Sequence, residues 1–314
     1  MEPLILRNYR ASDATAVSQL FREVYGDLYV QPHVYLPQMI NQNHAHQRWH
    51  SLVAEVDGQI RGHATLFRDT GARTAELALS AVHPDARGQN IATRLSQQLL
   101  TRAQALGCHD VSIKQVTHHP YTQRMAANLG FHNTGLLPDY VPSPFGRSTP
   151  ESIVLGSRIM EGYQRPLPRQ IWPSAYRRFM EHLCDVFGTQ EQRLYWHGPA
   201  IQLEQHANRY DLRLKTLRPD LLEQLRGLPP QWLVSIRLGL SQQFTCDLNR
   251  LAAIGFVFTG LAPVEGKEGG WLALFHRGYR LGKLELRCPQ MQQLHNQAQQ
   301  QVVRHMHETP LSGN

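Results

Sequence analysis

The chain has 314 residues, 41% of them hydrophobic and 18% charged, a balance that excludes a long disordered chain and a single small domain held by disulfides. The 32 Lys and Arg against 25 Asp and Glu give a net charge of +7, which favours anionic partners without choosing among nucleotide, nucleic acid and lipid. At roughly 150 residues per domain, two domains are expected.

The longest nearly apolar stretch, residues 251–264, is shorter than the ~20 residues of a spanning helix and is broken by Gly255, Thr259 and Gly260. The opening Met1-Glu2-Pro3-Leu4 lacks the basic and apolar regions of an export signal. A cytoplasmic protein with no membrane span is therefore expected. Cys108, Cys184, Cys246 and Cys288 form no C-x-x-C pair, which predicts reduced thiols buried as apolar filler. Of the 17 histidines, the densest groups, His44/His46 and His305/His307, lack carboxylate or Cys companions at ligand spacing. Solvated histidines and no metal site are expected.

In chain order, Leu4-Ile5-Leu6 reads as a short strand, and Ser12-Asp13 as the cap of a helix carrying Val17, Leu20, Phe21 and Val24 at helical spacing. Residues 52–56 and 59–67, joined by Asp57-Gly58, predict a hairpin, because Asp-Gly supplies the positive φ of a two-residue turn. Residues 76–82 predict a further strand. Beyond a Gly-containing loop, Ile91, Leu95, Leu99 and Leu100 mark a helix that stops at Gly107. Residues 111–116 predict a strand, Pro120 opens a helix, and Gly130-Phe131 follows its end.

The first domain is expected to cover residues 1–164 and the second residues 165–314, with Arg165-Pro166-Leu167-Pro168-Arg169 as a stiff linker. The second half partly repeats the first. Residues 129–138, LGFHNTGLLP, match residues 254–263, IGFVFTGLAP, and Val111-Ser112-Ile113-Lys114 answers Val234-Ser235-Ile236-Arg237 at nearly the same spacing, as an internal duplication would produce. Residues 290–301 predict a polar-faced C-terminal helix.

The most informative string is Val82-His83-Pro84-Asp85-Ala86-Arg87-Gly88-Gln89-Asn90-Ile91-Ala92-Thr93. It joins a strand to a helix N-terminus, where free amide donors and the aligned peptide dipoles favour an anion. The string resembles the acetyl-CoA-binding segment of the GCN5-related N-acetyltransferase (GNAT) superfamily, Q/R-x-x-G-x-G/A after a strand ending V-x-P. Arg87, Gly88 and Ala92 fit it, whereas Asn90 stands where a second glycine is usual; Asn tolerates left-handed geometry better than most residues. The order of elements over about the first 160 residues agrees with the same family.

The resemblance implies an α/β fold: two GNAT-like domains, each a mixed β-sheet flanked by helices, the first splayed between the 76–82 and 111–116 strands. It implies acetyl-CoA as co-substrate and no metal. The thioester would lie near Ala81 and Val82, with a Val82 N–H as oxyanion donor. The pyrophosphate would rest on the amides of Arg87, Gly88, Gln89, Asn90, Ala92 and Thr93. The activity implied is transfer of an acetyl group to an amine by direct attack.

Glu76 is the candidate base, six positions before Val82 and so expected on its face; a structural ion pair is the competing reading. His118 and His119 are rival bases. The position of the usual tyrosine acid is Ala126, leaving Tyr121 and Tyr140 as candidate donors. No counterpart of the phosphate loop appears between Tyr210 and Pro230, so the second domain is expected to be a degenerate copy that covers the first, shapes the acceptor pocket or recruits a protein partner. The competing function is a non-catalytic acyl-CoA-binding regulatory or protein-interaction module. Arginines such as Arg177-Arg178 carry no aromatic-and-basic reader motif, so nucleic acid is not an expected partner.

Overall fold

The structure, a computed structural model, describes residues 4–143, 148–191, 196, 199–206, 209–264 and 270–308. Its first half runs β1 (Ile5–Asn8), α1 (Ala14–Tyr25), α2 (Pro37–Ala45), β2 (Trp49–Val56), β3 (Gln59–Phe67), β4 (Thr74–Val82), α3 (Ile91–Ala105), β5 (Asp110–Val116), α4 (Tyr121–Asn128), β6 (His132–Val141) and β7 (Glu151–Ile159). Then follow β8 (Leu167–Pro168), α5 (Arg177–Phe187), β9 (Thr189–Gln190), β10 (Ile201–His206), β11 (Arg209–Leu214), α6 (Pro219–Arg226), β12 (Leu233–Gly239), α7 (Phe244–Ala252), β13 (Val257–Pro263), β14 (Trp271–Arg277) and α8 (Pro289–Glu308).

Local chemistry accounts for the main turns and helices. Asp57 and Gly58, at φ +50° and +71°, make the tight turn between β2 and β3. In α3 the spaced residues Ile91, Leu95, Leu99 and Leu100 are buried together on the sheet. Asp13, by contrast, does not cap α1. Its carboxylate turns back to accept two hydrogen bonds from Arg7, at 2.7 and 3.0 Å, and one from the Arg10 backbone N–H at 2.8 Å, because a buried carboxylate beside a guanidinium gains more from that pairing.

Among the described residues, twelve strands form one mixed sheet in the order β1-β2-β3-β4-β5-β7-β6-β13-β14-β12-β11-β10. Only β4 with β5 and β11 with β12 run parallel within it, and each of these pairs is joined through a crossover helix, α3 or α6. The run β4-β5-β7-β6 has the same strand senses as β11-β12-β14-β13. The parallel registers place Glu76 beside Ser112 and Asp211 beside Ser235.

The two runs meet at the repeated Thr-Gly-Leu strings, where β6 and β13 pair through Gly135 and Gly260. A Cβ on Gly260 would stand 2.4 Å from the Gly135 Cα and 2.5 Å from the Thr134 carbonyl oxygen, and its φ is +118°. Glycine is therefore obligatory at Gly260, and the two strands approach as closely as they do because neither carries a side chain there. A core cluster reaches across the junction: Leu136 and Val154 pack with Leu261, Phe258 and the helices α5, α7 and α8.

Several expectations need correction. The 165–169 segment is extended, as its prolines require, but it is no free linker. Leu167 and Pro168 pair with Thr189 and Gln190, and the buried Arg165 forms an ion pair with Asp110 and donates to the Val264 and Gly270 carbonyls at 3.2 and 2.8 Å. Cys108 is buried but Cys246 is exposed. His63 and His276 are interior residues rather than solvated ones. The C-terminal helix extends to Glu308 and buries Met291, Leu294 and Ala298.

Gly260→Ala is expected to lower unfolding stability by about 3 kcal/mol or more, since overpacking adds to strain at a positive φ. Urea denaturation of the full chain measures this directly.

Candidate functional site

The first half's sheet opens between β4 and β5. The two strands pair over Thr74–Asp110, Ala75–Val111, Glu76–Ser112 and Leu77–Ile113 and no further. The cause lies in β4, where Leu79 adopts φ +48° and the register against β3 shifts between His63 and Thr65. One extra residue is accommodated, the strand bends, and pairing on the far edge ends. The buried His63 completes the bulge by donating from Nδ1 to the Leu79 carbonyl at 2.9 Å. Behind it, the Thr65 hydroxyl lies 3.4 Å from His63 Nε2 and 2.8 Å from Ser51 Oγ, which in turn lies 2.8 Å from His44 Nε2.

The bulge overturns the expected alignment of Glu76 with Val82. Leu77 packs on the α3 side of the sheet, whereas Ala78, Leu79 and Ala81 all pack on the α1 side and Val82 returns to the α3 side. Glu76 therefore faces α1 and α2, opposite to Val82. The ladder also fixes the Val82 amide. His83 N–H donates to the Arg61 carbonyl, so Val82, opposite Gly62, is in a non-hydrogen-bonded pair and its N–H points away from β3, into the gap beside β5. Ala81 is opposite His63 in the ladder, and its side chain is buried.

Between Val82 and α3 the chain makes a short turn at Pro84–Ala86 and then an exposed loop. Gly88 has φ +81° and nothing within 4 Å of where a Cβ would stand, and Asn90 takes the left-handed conformation at φ 55°, ψ 25° as the residue before α3. The amides of Ile91, Ala92 and Thr93 form the first turn of α3, where no intrahelical acceptor exists. Gly88, Gln89 and Asn90 are exposed beside them. The Arg87 N–H is occupied by the Pro84 carbonyl at 3.1 Å, which leaves the exposed guanidinium as that residue's means of meeting an anion.

On the opposite face, a cleft of about 630 Å³ reaches the mouth of the gap and is lined by both halves, including Glu76, Lys114 and Tyr140 from the first and Arg237, Ala262 and Pro263 from the second. Lys114 is the first β5 residue past the last paired position. Its ammonium donates to Glu76 at 2.7 Å. Although burial opposes the lysine's charge, Glu76 and Tyr140 hold its proton affinity above the ordinary value, with Arg237 acting against them. Arg237 donates to the Tyr140 hydroxyl at 3.3 Å, and Arg209 covers the Tyr140 ring at 4.5 Å.

The structure thus gathers Glu76 and Tyr140 into one cleft and leaves Tyr121 and His118 outside it. Tyr121 is 68% exposed at the start of α4. His118 Nδ1 lies 2.8 Å from a Glu151 carboxylate oxygen, and the residue lines a separate cavity of about 280 Å³ with Asp139, Tyr279 and Arg280. Burial and the neighbouring His118 lower the proton affinity of His119. Ala126 is buried in the α3 and α4 core.

Sequence reasoning missed Tyr25, whose hydroxyl donates to the Ser80 carbonyl beside the bulge at 3.0 Å. Burial raises this phenol to about 12, so it carries its proton at neutral pH. The available signal was a tyrosine, rather than a phenylalanine, four residues after Phe21 on the core-facing stripe of α1. Among the described residues there is no group of three or more His, Cys, Asp or Glu placed to hold a metal, and no helix is long and apolar enough to cross a membrane.

Residues 14–131 match the Acetyltransferase (GNAT) family. Solved structures similar to this chain include the ribosomal-protein-S18-alanine N-acetyltransferase from Escherichia coli, at 15% identity over 51% of this chain and 97% of its own, TM-score 0.43. They also include a ribosomal-protein-alanine N-acetyltransferase from Brucella melitensis, at 21% identity over 50% and 100%, TM-score 0.42. A third is yncA from Salmonella typhimurium, solved with acetyl-CoA, at 19% identity over 52% and 96%, TM-score 0.43. No curated protein matches the chain in sequence.

Burial drives the His63 proton affinity down to about 4 and that of His276 down to about 3. As pH falls below ~6.5 the unfolded chain takes up protons that the folded protein refuses, so each histidine removes up to about 1.4 kcal/mol of stability per pH unit until its folded value is reached. Urea midpoints should therefore drop between pH 7 and pH 5. His63→Gln and His276→Gln, compared at both pH values, should each flatten that dependence.

Proposed function

Given a first half whose residues 14–131 belong to the acetyltransferase (GNAT) family, we propose that the protein moves an acetyl group from acetyl-CoA to an amine by direct attack in a ternary complex. The observation that carries this reading is the coincidence, at one end of the β4/β5 pair, of a strand gap with a donor-rich loop. The amides of Gly88, Gln89, Asn90, Ala92 and Thr93 suit a pyrophosphate, with the Arg87 guanidinium adding charge. The open space over Gly88 lets a phosphate oxygen come against the backbone.

Acetyl-CoA supplies the thioester carbonyl. Val82, whose N–H points into the gap, stabilises negative charge developing on the carbonyl oxygen. Glu76 accepts the proton of the incoming amine, directly or through water, from the side of the cleft; its ion pair with Lys114 holds the carboxylate in place. The leaving thiolate needs no enzyme acid, because a thiol is an acceptable leaving group. Tyr25 supports protonation from beside the bulge, and Tyr140 from the cleft.

Residues 165–314 act in this reading as a degenerate copy that leaves coenzyme A to the first half. Only residues 215–218 separate β11 from α6, none of them glycine, and α6 has 8 residues where α3 has 15. Their contribution is the far wall of the cleft.

Isothermal titration of the full chain with acetyl-CoA tests the loop. Gly88→Val should weaken binding at least tenfold by placing a β-branched side chain at positive φ in the anion's path, while the thermal midpoint falls by no more than about 3 °C. Free-thiol release over an amine panel tests the chemistry. Binding without release from any amine would favour the non-catalytic acyl-CoA-binding module, and absence of binding would overturn the reading.

A further inference from the structure

The cleft holds an unbalanced cation. Glu76 is engaged by Lys114 and Asp110 by Arg165, while the third carboxylate lining the space, Asp69, is exposed and shares the rim with Arg48 and Arg68. Arg237 has no carboxylate partner among the described residues; it is half-buried and its guanidinium donates to the Tyr140 hydroxyl. Arg237 also opposes the charge on Lys114, and with Arg209 it opposes protonation of His276. Positive groups from both halves therefore converge on one space.

Holding a charge in a partly dry site is costly without a counter-ion. A guanidinium fork matches the planar geometry of a carboxylate with two parallel hydrogen bonds. Trp49 and Phe67, ring-stacked at 5.3 Å, form an apolar wall of the same cleft, and its volume is in the range of small-molecule sites. Glu76 and the mouth of the gap mark where the amine must arrive.

We infer that Arg237, supplied by the second half, is a specificity-determining residue that binds a carboxylate on the acceptor, so that the acceptor is a small amino acid-type molecule presenting its amine towards the gap. This rests on the acyltransferase reading. It gives the second half a definite task in the reaction: Arg237 occupies the position in β12 that Lys114 occupies in β5 within the repeated Val-Ser-Ile-Lys/Arg strings, and both line the one cleft.

The test uses the full chain with saturating acetyl-CoA and the 20 common amino acids, each beside its carboxamide. Wild type should release thiol with at least one amino acid at a kcat/KM at least tenfold above that of its amide. Arg237→Leu should lower kcat/KM for the acid about 10- to 100-fold more than for the amide, mainly through KM, and Arg237→Lys should recover part of the loss. The thermal midpoint of each variant checks folding.

Equal use of acids and amides by wild type, or an equal loss on both in Arg237→Leu, overturns the proposal. So does a preference for phosphoethanolamine over every amino acid. If no amine releases thiol, the acyltransferase reading fails, and the carboxylate site is judged separately by ligand-observed NMR with the same amino acids and amides. Binding of an acid over its amide that Arg237→Leu abolishes supports the site, and its absence overturns it.

Discussion

The junction of the two halves rests on the contact of two glycine backbones. Gly135 and Gly260 let β6 and β13 come closer than any side chain permits, and that approach turns two five- to seven-stranded arrangements into one sheet. Once the sheet is continuous, the basic ends of β5 and β12 share a cleft, α8 lies across the seam, and the core no longer respects a boundary between halves. Leu136 and Val154 belong to the same cluster as Phe258 and Leu261.

A second constraint, local to the first half, sets where its sheet opens. An inserted residue in β4 forces Leu79 into a conformation that side chains rarely adopt, and a neutral buried histidine answers the carbonyl this exposes. The result is a strand edge with a free amide beside a helix N-terminus, both on one side of a cleft whose floor is an ion pair.

Much of this was legible in the sequence because it rests on local rules. The Asp57-Gly58 turn, the α3 stripe and the left-handed Asn90 follow from φ preferences and 3.6-residue periodicity. The repeated Thr-Gly-Leu strings were visible, but a repeat does not say that its glycines touch each other. The facing of Glu76 was misjudged because alternation assumes an unbroken strand, and an inserted residue inverts every later position. Arg165 reads in sequence as part of a tether, because prolines announce an extended backbone but not what lies against it; its burial depends on Asp110, 55 residues earlier. His63 and His276 escaped notice for the same reason: composition counts histidines, and only tertiary packing decides which stay dry.

The buried Arg165 also bears on whether the molecule can be divided. Without the residues beyond the proline-rich connection, Asp110 would lose the Arg165 guanidinium in an interior where burial already raises its proton affinity against that pull, and the β6 edge that Gly135 presents to Gly260 would be uncovered. The Arg165–Asp110 pair and the Gly135–Gly260 contact thus tie residues on the two sides of that connection to one another.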